Sequence, residues 1–206
     1  VARNEDFVVV DDNPGEGNVM ALREINPGAS VEEITAGCLL RADQIFISPG
    51  VPLGHEAVSM ARASGKDLYG DIQLFGELAA APIIGITGTN GKSTVSRLVF
   101  EMIRDQGNKV SVAGNIGTPC LDVLAEDVDF HVLEISSYQL ELATELKTEV
   151  SVVLNLAPDH MDRYETEQDY YQTKLGLYNN TTKAVINRSM SGELGDELAE
   201  ATFGAG

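Results

Sequence analysis

The most constraining feature of the sequence is a glycine-containing loop that joins a short apolar strand to a helix. The strand is predicted over 83–87 and the helix over 93–106, and the residues from Gly85 to Thr94 read GITGTNGKST. Glycines let the backbone curl until its N–H groups face one anion, and the first turn of the helix adds partial positive charge. We therefore predict a nucleoside triphosphate site formed by Gly88, Thr89, Asn90, Gly91, Lys92, Ser93 and Thr94.

Two side chains after the second glycine give this loop its chemistry. Lys92 is placed to reach the β- and γ-phosphates, and the Ser93 hydroxyl is placed to ligate Mg²⁺. The usual phosphate-loop pattern has its first glycine where this sequence has Ile86, and the glycine here is Gly88. The alternative interpretation is a glycine-rich turn before an ordinary helix. The order of strand, loop, Gly-Lys-Ser and helix favours the nucleotide site.

The residues after this loop alternate between short apolar runs and helical stretches. Near-continuous apolar strands separated by helices are typical of a parallel sheet that is covered on both faces. The predicted strands are 109–113, 130–135, 151–156 and 183–186, and the predicted helices are 118–124 and 168–178. The small, acidic tail from Ser189 onward is predicted to be a loop, or a point where the chain stops inside a domain.

The residues before the loop form a separate part of the predicted fold. Strands are predicted over 7–10, 44–48 and 68–69, and helices over 55–64, with Gly65 at its carboxyl end, and 71–80, with Asp71 as its N-cap. Pro82 and the alanines before it suggest a linker. The predicted fold class is α/β, with a partial Rossmann-like amino-terminal domain over 1–81 and an incomplete P-loop parallel-sheet ATPase domain over 82–206.

The charge composition limits which partners the chain can have. It carries 32 acidic and 14 basic residues, a formal net charge of −18, and no run of Lys and Arg. A field of this sign repels a nucleic-acid backbone, so any phosphate must be captured locally by amides, a lysine or a metal ion. The acidity favours solubility, and a salt-rich habitat stays open as a second explanation.

Other parts of the composition favour a cytoplasmic protein. Cys38 and Cys120 are too few for a disulfide framework. No apolar run approaches the roughly 18 residues of a membrane span, and no signal peptide opens the chain. The chain also has no starting Met, and it lacks the glycine-rich turn expected before its first strand, which suggests that its amino end is truncated.

Four stretches together resemble the Mur ligase family of ATP-dependent ligases. The first is the TGTNGKS loop, which is also similar to that of the related folylpolyglutamate synthases. The others are Gly114–Gly117 (GNIG), Glu134–Leu140 (EISSYQL) and Asn155–Tyr164 (NLAPDHMDRY). The last two are similar to the branch of the family that adds D-glutamate, and the resemblance covers nearly the whole chain.

The resemblance implies a reaction, its cofactors and its partners. ATP would phosphorylate the carboxylate of UDP-N-acetylmuramoyl-L-alanine, and the amine of D-glutamate would displace phosphate from the acyl phosphate. ATP and Mg²⁺ are the implied cofactors, and a monomer is expected. The resemblance also implies that a carboxyl-terminal amino-acid-binding domain is missing, so we expect the 206 residues to bind nucleotide weakly and not to ligate on their own.

The resemblance also assigns roles to individual residues. The implied catalytic residues are Lys92, His160 and Lys174, and the implied metal ligands are Ser93, Glu134, His160 and Lys174 as a carbamate. The implied substrate residues are Asp11, Gly50, Asn115, Ser136 and Gln139, with Asp11 and Gly50 facing the uridine diphosphate. Asn13 stands where a basic residue would offset the diphosphate.

Residue chemistry independently supports two of these assignments. Glu134 ends a predicted strand, at the edge of a parallel sheet where ligands gather. His160 follows another strand and Asp159, whereas His55 and His131 have no such context and are interpreted as ordinary surface or core histidines. A lysine on a helix is ordinarily a solvated residue, so the role of Lys174 depends on the resemblance alone.

Two classes of alternative function stay open at this point. One is a different amide ligase, either another Mur-type enzyme or a folylpolyglutamate-synthase-type enzyme. The other is a non-catalytic nucleotide-binding protein that keeps the phosphate loop without turnover. The dependence of ATP hydrolysis on D-glutamate, on folate or on no acceptor would separate them.

Overall fold

The computed structural model describes residues 7–190 and 199–204. Contacts along the chain divide it into two compact units. The first unit comprises residues 1–45 and 53–67, and the second comprises residues 46–52 and 68–206. The predicted nucleotide loop lies in the second unit.

The first unit consists of short elements. They are β1 (Val9–Val10), α1 (Glu16–Ile25), β2 (Val31–Glu32), α2 (Ala36–Arg41) and α3 (Glu56–Ala63), and β3 (Ile45–Phe46) comes between α2 and α3 in the chain. β1 pairs in parallel with β2, and the side chain of Thr35 caps α2 by accepting from the N–H of Cys38. The predictions of a first strand and of a helix near 55–64 are confirmed, and Gly65 follows that helix with a φ of +78°. The sequence analysis missed α1 and α2.

The second unit is built around a parallel sheet. Its elements are β4 (Leu68–Tyr69), α4 (Asp71–Leu78), β5 (Ile83–Thr87), α5 (Lys92–Asp105), β6 (Val110–Gly114), β7 (Phe130–Glu134), α6 (Ser137–Leu140), β8 (Thr148–Val153), α7 (Glu167–Leu175), β9 (Thr181–Asn187) and β10 (Ala199–Phe203). Single 3₁₀ turns cover Cys120–Val123, Gly176–Tyr178 and Arg188–Met190. Six strands pair in the order β10-β9-β8-β5-β7-β6, all of them parallel. The predicted α/β class and parallel sheet are confirmed.

The sheet is buried on both faces, as its near-continuous apolar strands predict. On one face, Ile86, Val132 and Val152 pack with the helix α5, which contributes Val95 and Val99. The opposite face has its own cluster, which includes Ile72, Phe75, Ile83, Cys120, Val123, Leu133, Ile135, Leu140 and Leu177. Neighbouring residues of one strand therefore enter opposite clusters, and this alternation fixes the register of the central strand β5.

The structure differs from the predicted boundary between the two parts of the chain. Helix α4 was predicted to belong with residues 1–81, but Ile72 and Phe75 are fully buried in the core of the second unit. The division of contacts therefore does not fall at residue 82. The assignment of a substrate-binding role to 1–81 and an ATP-binding role to 82–206 stays a prediction.

Three local predictions were wrong for identifiable reasons. Asp71 is not the N-cap of α4, because Gly70 occupies that position and the Asp71 carboxylate accepts from Gln139 instead. The strand predicted over 151–156 spans 148–153, because the residues after it leave the sheet to hold the phosphate loop. The loop predicted after Ser189 is contradicted over 199–203, where β10 pairs with β9, while residues 191–198 lie outside the described part of the chain. The alternative, that the chain stops inside a domain, stays a prediction.

None of the described helices combines the length and the apolar character that are needed to cross a membrane.

Gly114 offers a test of how the end of β6 packs on β7. Its φ is +114°, and a Cβ at this position would overlap the carbonyl oxygen of Glu134. We expect Gly114→Ala to lower the free energy of unfolding by about 2–4 kcal/mol, from backbone strain and displacement of the neighbouring strand. Urea-induced unfolding, followed with a probe in the second unit, measures this change.

Gly107→Ala is the matched control for this substitution. Gly107 also has a positive φ, +87°, but nothing lies within 4 Å of an added Cβ. Gly107→Ala should therefore lower the free energy of unfolding by backbone strain alone, about 1 kcal/mol. Equal losses at the two positions would contradict the close approach of Gly114 to Glu134.

Candidate nucleotide-binding site

The loop between β5 and α5 requires glycine at two positions. Gly88 has a φ of +151° and Gly91 a φ of +81°, both in the region that favours glycine. A Cβ on Gly88 would also lie 3.0 Å from the Cβ of Leu154. Gly91 is the N-cap of α5 and supplies no side-chain acceptor, so the first N–H groups of this helix have no side-chain cap. Uncapped N–H groups at a helix start are suited to bind an anion.

The loop is fixed by hydrogen bonds to the segment that follows β8. The N–H of Thr89 donates to the carbonyl of Asn155 at 3.0 Å. The Asn155 side chain accepts from the N–H of Asn90 at 2.9 Å and donates to the Asn90 carbonyl at 2.9 Å. The Thr89 hydroxyl contacts the carbonyl of Ala157 and the hydroxyl of Tyr170, each at 3.1 Å. The loop shape is therefore built before any ligand binds.

Lys92 lies against the loop through hydrogen bonds from its own side chain. Its Nζ donates to the carbonyls of Gly88 at 2.8 Å and Thr89 at 3.1 Å. The ammonium charge is thus held at the loop, while Ser93 and Thr94 lie exposed in the first turn of α5. The loop, its lysine and its two hydroxyl residues are brought together by the fold.

Lys174 reaches the same loop from α7 and is almost fully buried, at 2% exposure. Its Nζ donates to the Gly88 carbonyl at 3.1 Å and lies 4.8 Å from the centre of the Tyr170 ring. Burial, and after it the positive charge of Lys92, lower the pKa of Lys174 from 10.5 to about 7, partly opposed by Asp159. A large share of this amine is therefore neutral near pH 7.

Glu134 presents an unsatisfied oxygen at the carboxyl edge of the sheet. It ends β7 opposite Ile86 of β5, and its side chain is buried, at 1% exposure. Its Oε1 accepts from Asn115 at 2.9 Å, whereas its Oε2 is buried and has no hydrogen-bond partner among the residues that the structure describes. A buried carboxylate oxygen without a partner is costly unless a cation or donor joins it. This residue fits the role of a ligand to a hard cation such as Mg²⁺.

His160, another predicted metal ligand, lies in the loop that follows β8. His160 is exposed, has a φ of +56°, and places its ring 4.8 Å from the ring of Tyr138. Asp159 accepts from the His160 N–H at 2.9 Å and lies 3.6 Å from its ring nitrogen. Within residues 7–190 and 199–204, no three His, Cys, Asp or Glu side chains gather into a metal site. A magnesium ion here would need hydroxyl, phosphate or water ligands as well.

The predicted substrate residues occupy different surroundings. Asn115 is exposed beyond β6, and its backbone N–H donates to the Glu134 carbonyl at 2.8 Å. Ser136 and Gln139 form a reciprocal capping box at the start of α6. Gln139 is buried, and its Nε2 donates to Asp71 at 2.9 Å. The side chain of Gln139 is therefore already engaged in holding the fold.

The two predicted diphosphate residues lie outside the nucleotide loop. Gly50 is an exposed residue of the turn from Ser48 to Val51, which is closed by a backbone hydrogen bond of 2.9 Å. Asp11 belongs to the first unit, where its side chain accepts from the N–H of Asn13 at 2.9 Å. His131, interpreted from sequence as an ordinary surface or core histidine, is a core residue: it is buried and hydrogen-bonded to Ser111.

Sequence reasoning missed several residues that shape the site. Tyr170 lies one helical turn before Lys174 and contacts both that lysine and Thr89, and its spacing of one turn could have revealed it. Asn155 was quoted only as part of a resemblance, although a polar side chain directly after a strand suits such a role. The contact between Asp71 and Gln139 had no signal in the sequence, because it joins residues distant in the chain.

The buried amine of Lys174 makes a pH-dependent prediction. The unfolded chain keeps this proton up to a pKa near 10.5, whereas the folded chain releases it above about 7. Stability therefore rises with pH between these values, by up to about 1.4 kcal/mol per unit. In CO₂-free buffer, the unfolding free energy of wild type minus that of Lys174→Met should increase between pH 7 and pH 9.

Lys109→Met is the control for this measurement. Lys109 is exposed and paired with Asp127. The hydrogen bond to Asp127 raises the pKa of Lys109, so this lysine stays protonated over the whole interval in both the folded and the unfolded chain. The difference in unfolding free energy between wild type and Lys109→Met should therefore not change with pH. Parallel pH profiles for wild type and Lys174→Met would show that the buried amine does not titrate as described.

Comparisons with known proteins agree with this geometry. A family model for the Mur ligase middle domain matches residues 86–203. UDP-N-acetylmuramoylalanine–D-glutamate ligase of Pseudomonas syringae pv. tomato is 41% identical over 99% of this chain. The protein of that name from Haemophilus influenzae is 46% identical over 82% of it.

The fold also resembles a solved structure. The UDP-N-acetylmuramate:L-alanyl-gamma-D-glutamyl-meso-diaminopimelate ligase of Neisseria meningitides superimposes with a TM-score of 0.60 at 19% identity, covering 94% of this chain and 68% of its own. The present chain spans 45% of the length of the Pseudomonas relative and 36% of that of the Haemophilus relative. With a parallel sheet, a phosphate loop and this extent of similarity, the chain belongs to the Mur ligase family.

Proposed function

We propose that this chain is the substrate- and ATP-binding part of a ligase that joins D-glutamate to UDP-N-acetylmuramoyl-L-alanine, in the synthesis of peptidoglycan precursors. The observation that carries the proposal is the 41% identity, over 99% of the chain, to a ligase named for that reaction. The proposed product is a new amide, formed through an acyl phosphate at the expense of ATP. The preformed phosphate loop supports ATP as the donor.

The phosphate loop is proposed to hold and neutralise the triphosphate. Lys92 and the uncapped N–H groups of α5 supply positive charge where the transferred phosphoryl group develops negative charge. The residues from Gly88 to Thr94 form this cradle. Positioning and charge neutralisation account for most of the catalysis expected in phosphoryl transfer.

Magnesium is proposed as the cofactor, held by Ser93, Glu134, His160 and a carbamate on Lys174. When bound, Mg²⁺ would neutralise phosphate oxygens and orient the phosphoryl group. The unpartnered Oε2 of Glu134 supports this proposal, because a cation would complete its interactions. Asn115 would orient the same carboxylate through its hydrogen bond to Oε1.

Lys174 is proposed to react with CO₂ to give the carbamate. The neutral amine nitrogen would attack the carbon of CO₂, forming an N–C bond while one C=O π bond opens and its electron pair moves to oxygen. The nitrogen would then release a proton to solvent, which leaves a carbamate anion. The lowered pKa of Lys174 supports this step, because only the neutral amine has a free lone pair. The carbamate oxygens would then be hard ligands for Mg²⁺.

The remaining predicted residues are proposed to meet the UDP-linked substrate. Asp11 and Gly50 would face the uridine diphosphate, within a substrate-binding domain over 1–81. Asn115, Ser136 and Gln139 would face the sugar and the alanyl group, although the polar atoms of Gln139 already have partners within the fold. The enzyme is proposed to act as a monomer in the cytoplasm, where ATP is available.

Two other functions are tested by the same experiment. A folylpolyglutamate-synthase-type ligase would use a folate acceptor, and a nucleotide-binding protein without turnover would show no acceptor dependence. The stretch from Glu134 to Leu140 and the segment ending in Arg163 and Tyr164 favour the D-glutamate-adding ligase over both.

The proposed activity is tested by acceptor-dependent phosphate release from ATP in the full-length protein. We expect release only with UDP-N-acetylmuramoyl-L-alanine and D-glutamate together. Lys92→Met should lower this rate by about 100-fold or more, because it removes a charge that stabilises the transferred phosphoryl group.

Lys109→Met is the matched control, since it removes an equally charged but exposed lysine. It should change the rate by less than about twofold. Phosphate release that requires folate instead of D-glutamate, or that ignores every acceptor, would refute the proposed function.

Carbamylation of Lys174 has a direct spectroscopic test. After incubation with ¹³C-bicarbonate, wild type should show a carbamate carbon resonance that weakens as the pH falls below about 7, where the amine becomes protonated. Lys174→Arg should lack the resonance, because its guanidinium stays charged. A signal that is present in both proteins, or in neither, would exclude the carbamate at this residue.

A further inference from the structure

Arg163 joins three parts of the second unit through one largely buried side chain. Its Nη1 donates to the carbonyl of Pro49 at 2.9 Å, and its Nη2 contacts the carbonyl of Val51 at 3.5 Å. Its Nε and Nη2 donate to the two carboxylate oxygens of Glu141 at 3.1 and 2.6 Å. The centre of the guanidinium also lies 4.2 Å from the centre of the Tyr138 ring.

This arrangement depends on the planar shape of arginine. The guanidinium presents several N–H donors in a rigid fork that can bind a carboxylate and neighbouring carbonyls together. The side chains of Arg163 and Glu141 are only 11% and 12% exposed, so solvent weakens the pair little. The ion pair of Arg97 with Glu101 is different, because Arg97 is 63% exposed on the surface of α5.

The parts that Arg163 joins carry residues already assigned to the proposed site. Pro49 and Val51 flank Gly50 in the Ser48–Val51 turn. The backbone N–H of Arg163 donates to the carbonyl of His160 at 3.0 Å, within the same loop. One side chain therefore ties the turn that carries Gly50 to the loop that carries His160.

We infer that Arg163 is a positioning residue for the UDP-linked substrate. Its guanidinium fixes the carbonyls on both sides of Gly50, and this holds the exposed backbone of the turn ready for the diphosphate. A Cβ at Gly50 would have only the Ser48 hydroxyl within 4 Å, at 3.8 Å, so the turn is open to a ligand. The inference rests on the proposed function, because that function places a UDP-linked substrate against the turn.

The test substitution is Arg163→Lys, which keeps the charge and removes the fork. In the full-length protein, the KM for UDP-N-acetylmuramoyl-L-alanine should rise about tenfold while kcat changes less than about threefold, as for a loss of uniform substrate binding. The KM for ATP should stay unchanged, because the phosphate loop is held by Asn155 and not by Arg163. The matched control Arg97→Lys should leave all three constants unchanged.

Hydrogen exchange provides a readout that does not depend on activity. The N–H of Val51 closes the turn by donating to Ser48 at 2.9 Å. In Arg163→Lys, the exchange of this amide should accelerate by about tenfold relative to wild type, because the turn loses its anchor. Arg97→Lys should leave the exchange of Val51 unchanged.

The measurements test the positioning role of Arg163 separately from the proposed function. Unchanged Val51 exchange, an unchanged substrate KM, or an equal rise in the KM for ATP would each overturn the positioning role of Arg163. If Arg163→Lys fails to fold, Glu141→Gln loosens the same guanidinium and should shift the substrate KM and the Val51 exchange in the same directions. A wild-type protein that releases no phosphate in response to D-glutamate would contradict the proposed function, while the exchange measurement would still test the turn.

Discussion

The attachment of the phosphate loop to the end of β8 is the interaction on which the rest of the site depends. Asn155 holds the backbone of Asn90 on both its donor and its acceptor side, and Gly88 packs closely on Leu154. Because β8 lies next to β5 in the sheet, the two carboxyl ends meet without any long connection. Lys92 and Lys174 then converge on one carbonyl of this fixed loop.

This convergence explains how a strongly acidic chain can offer a site for an anion. The net charge of −18 would repel a triphosphate if charge were spread evenly. Instead, the ammonium group of Lys92 and the start of the helix α5 are concentrated at one loop, where short distances outweigh the distant acids. Burial, and after it the charge of Lys92, lower the pKa of Lys174 at this loop, so a charged lysine and a lysine of lowered pKa donate to the same Gly88 carbonyl.

Much of the fold followed from the sequence because its signals are local. The apolar run Ile83–Thr87, the two glycines after it and the helix that begins at Lys92 were readable from neighbouring residues. The loop residues, Glu134 at a strand end and the parallel sheet followed from the same patterns. The helices α1 and α2 were missed: α1 has no buried residue, and α2 is only six residues long, which is too short to show a helical period.

The contacts that sequence could not supply join residues distant in the chain. Gln139 was predicted to face a substrate, and nothing in its neighbourhood indicated that Asp71 would accept from its amide. Arg163 was visible within a quoted segment, but its acceptors at Pro49 and Val51 lie far upstream. Such pairings depend on the tertiary fold, so local propensity and residue spacing do not predict them.

The order of strands in the sheet also has a consequence for how the chain reaches its native state. The central strand β5 pairs with β7 and β8, and Ile84 lies opposite Val150. Neither partner is the next strand along the chain, and parallel neighbours cannot form as a local hairpin. Large loops must close before the middle of the sheet gains its first stabilising pairs, which makes folding slow relative to a helical bundle of similar size. The loop between β5 and α5, which is held by residues after β8, is therefore assembled only late, when distant segments have already met.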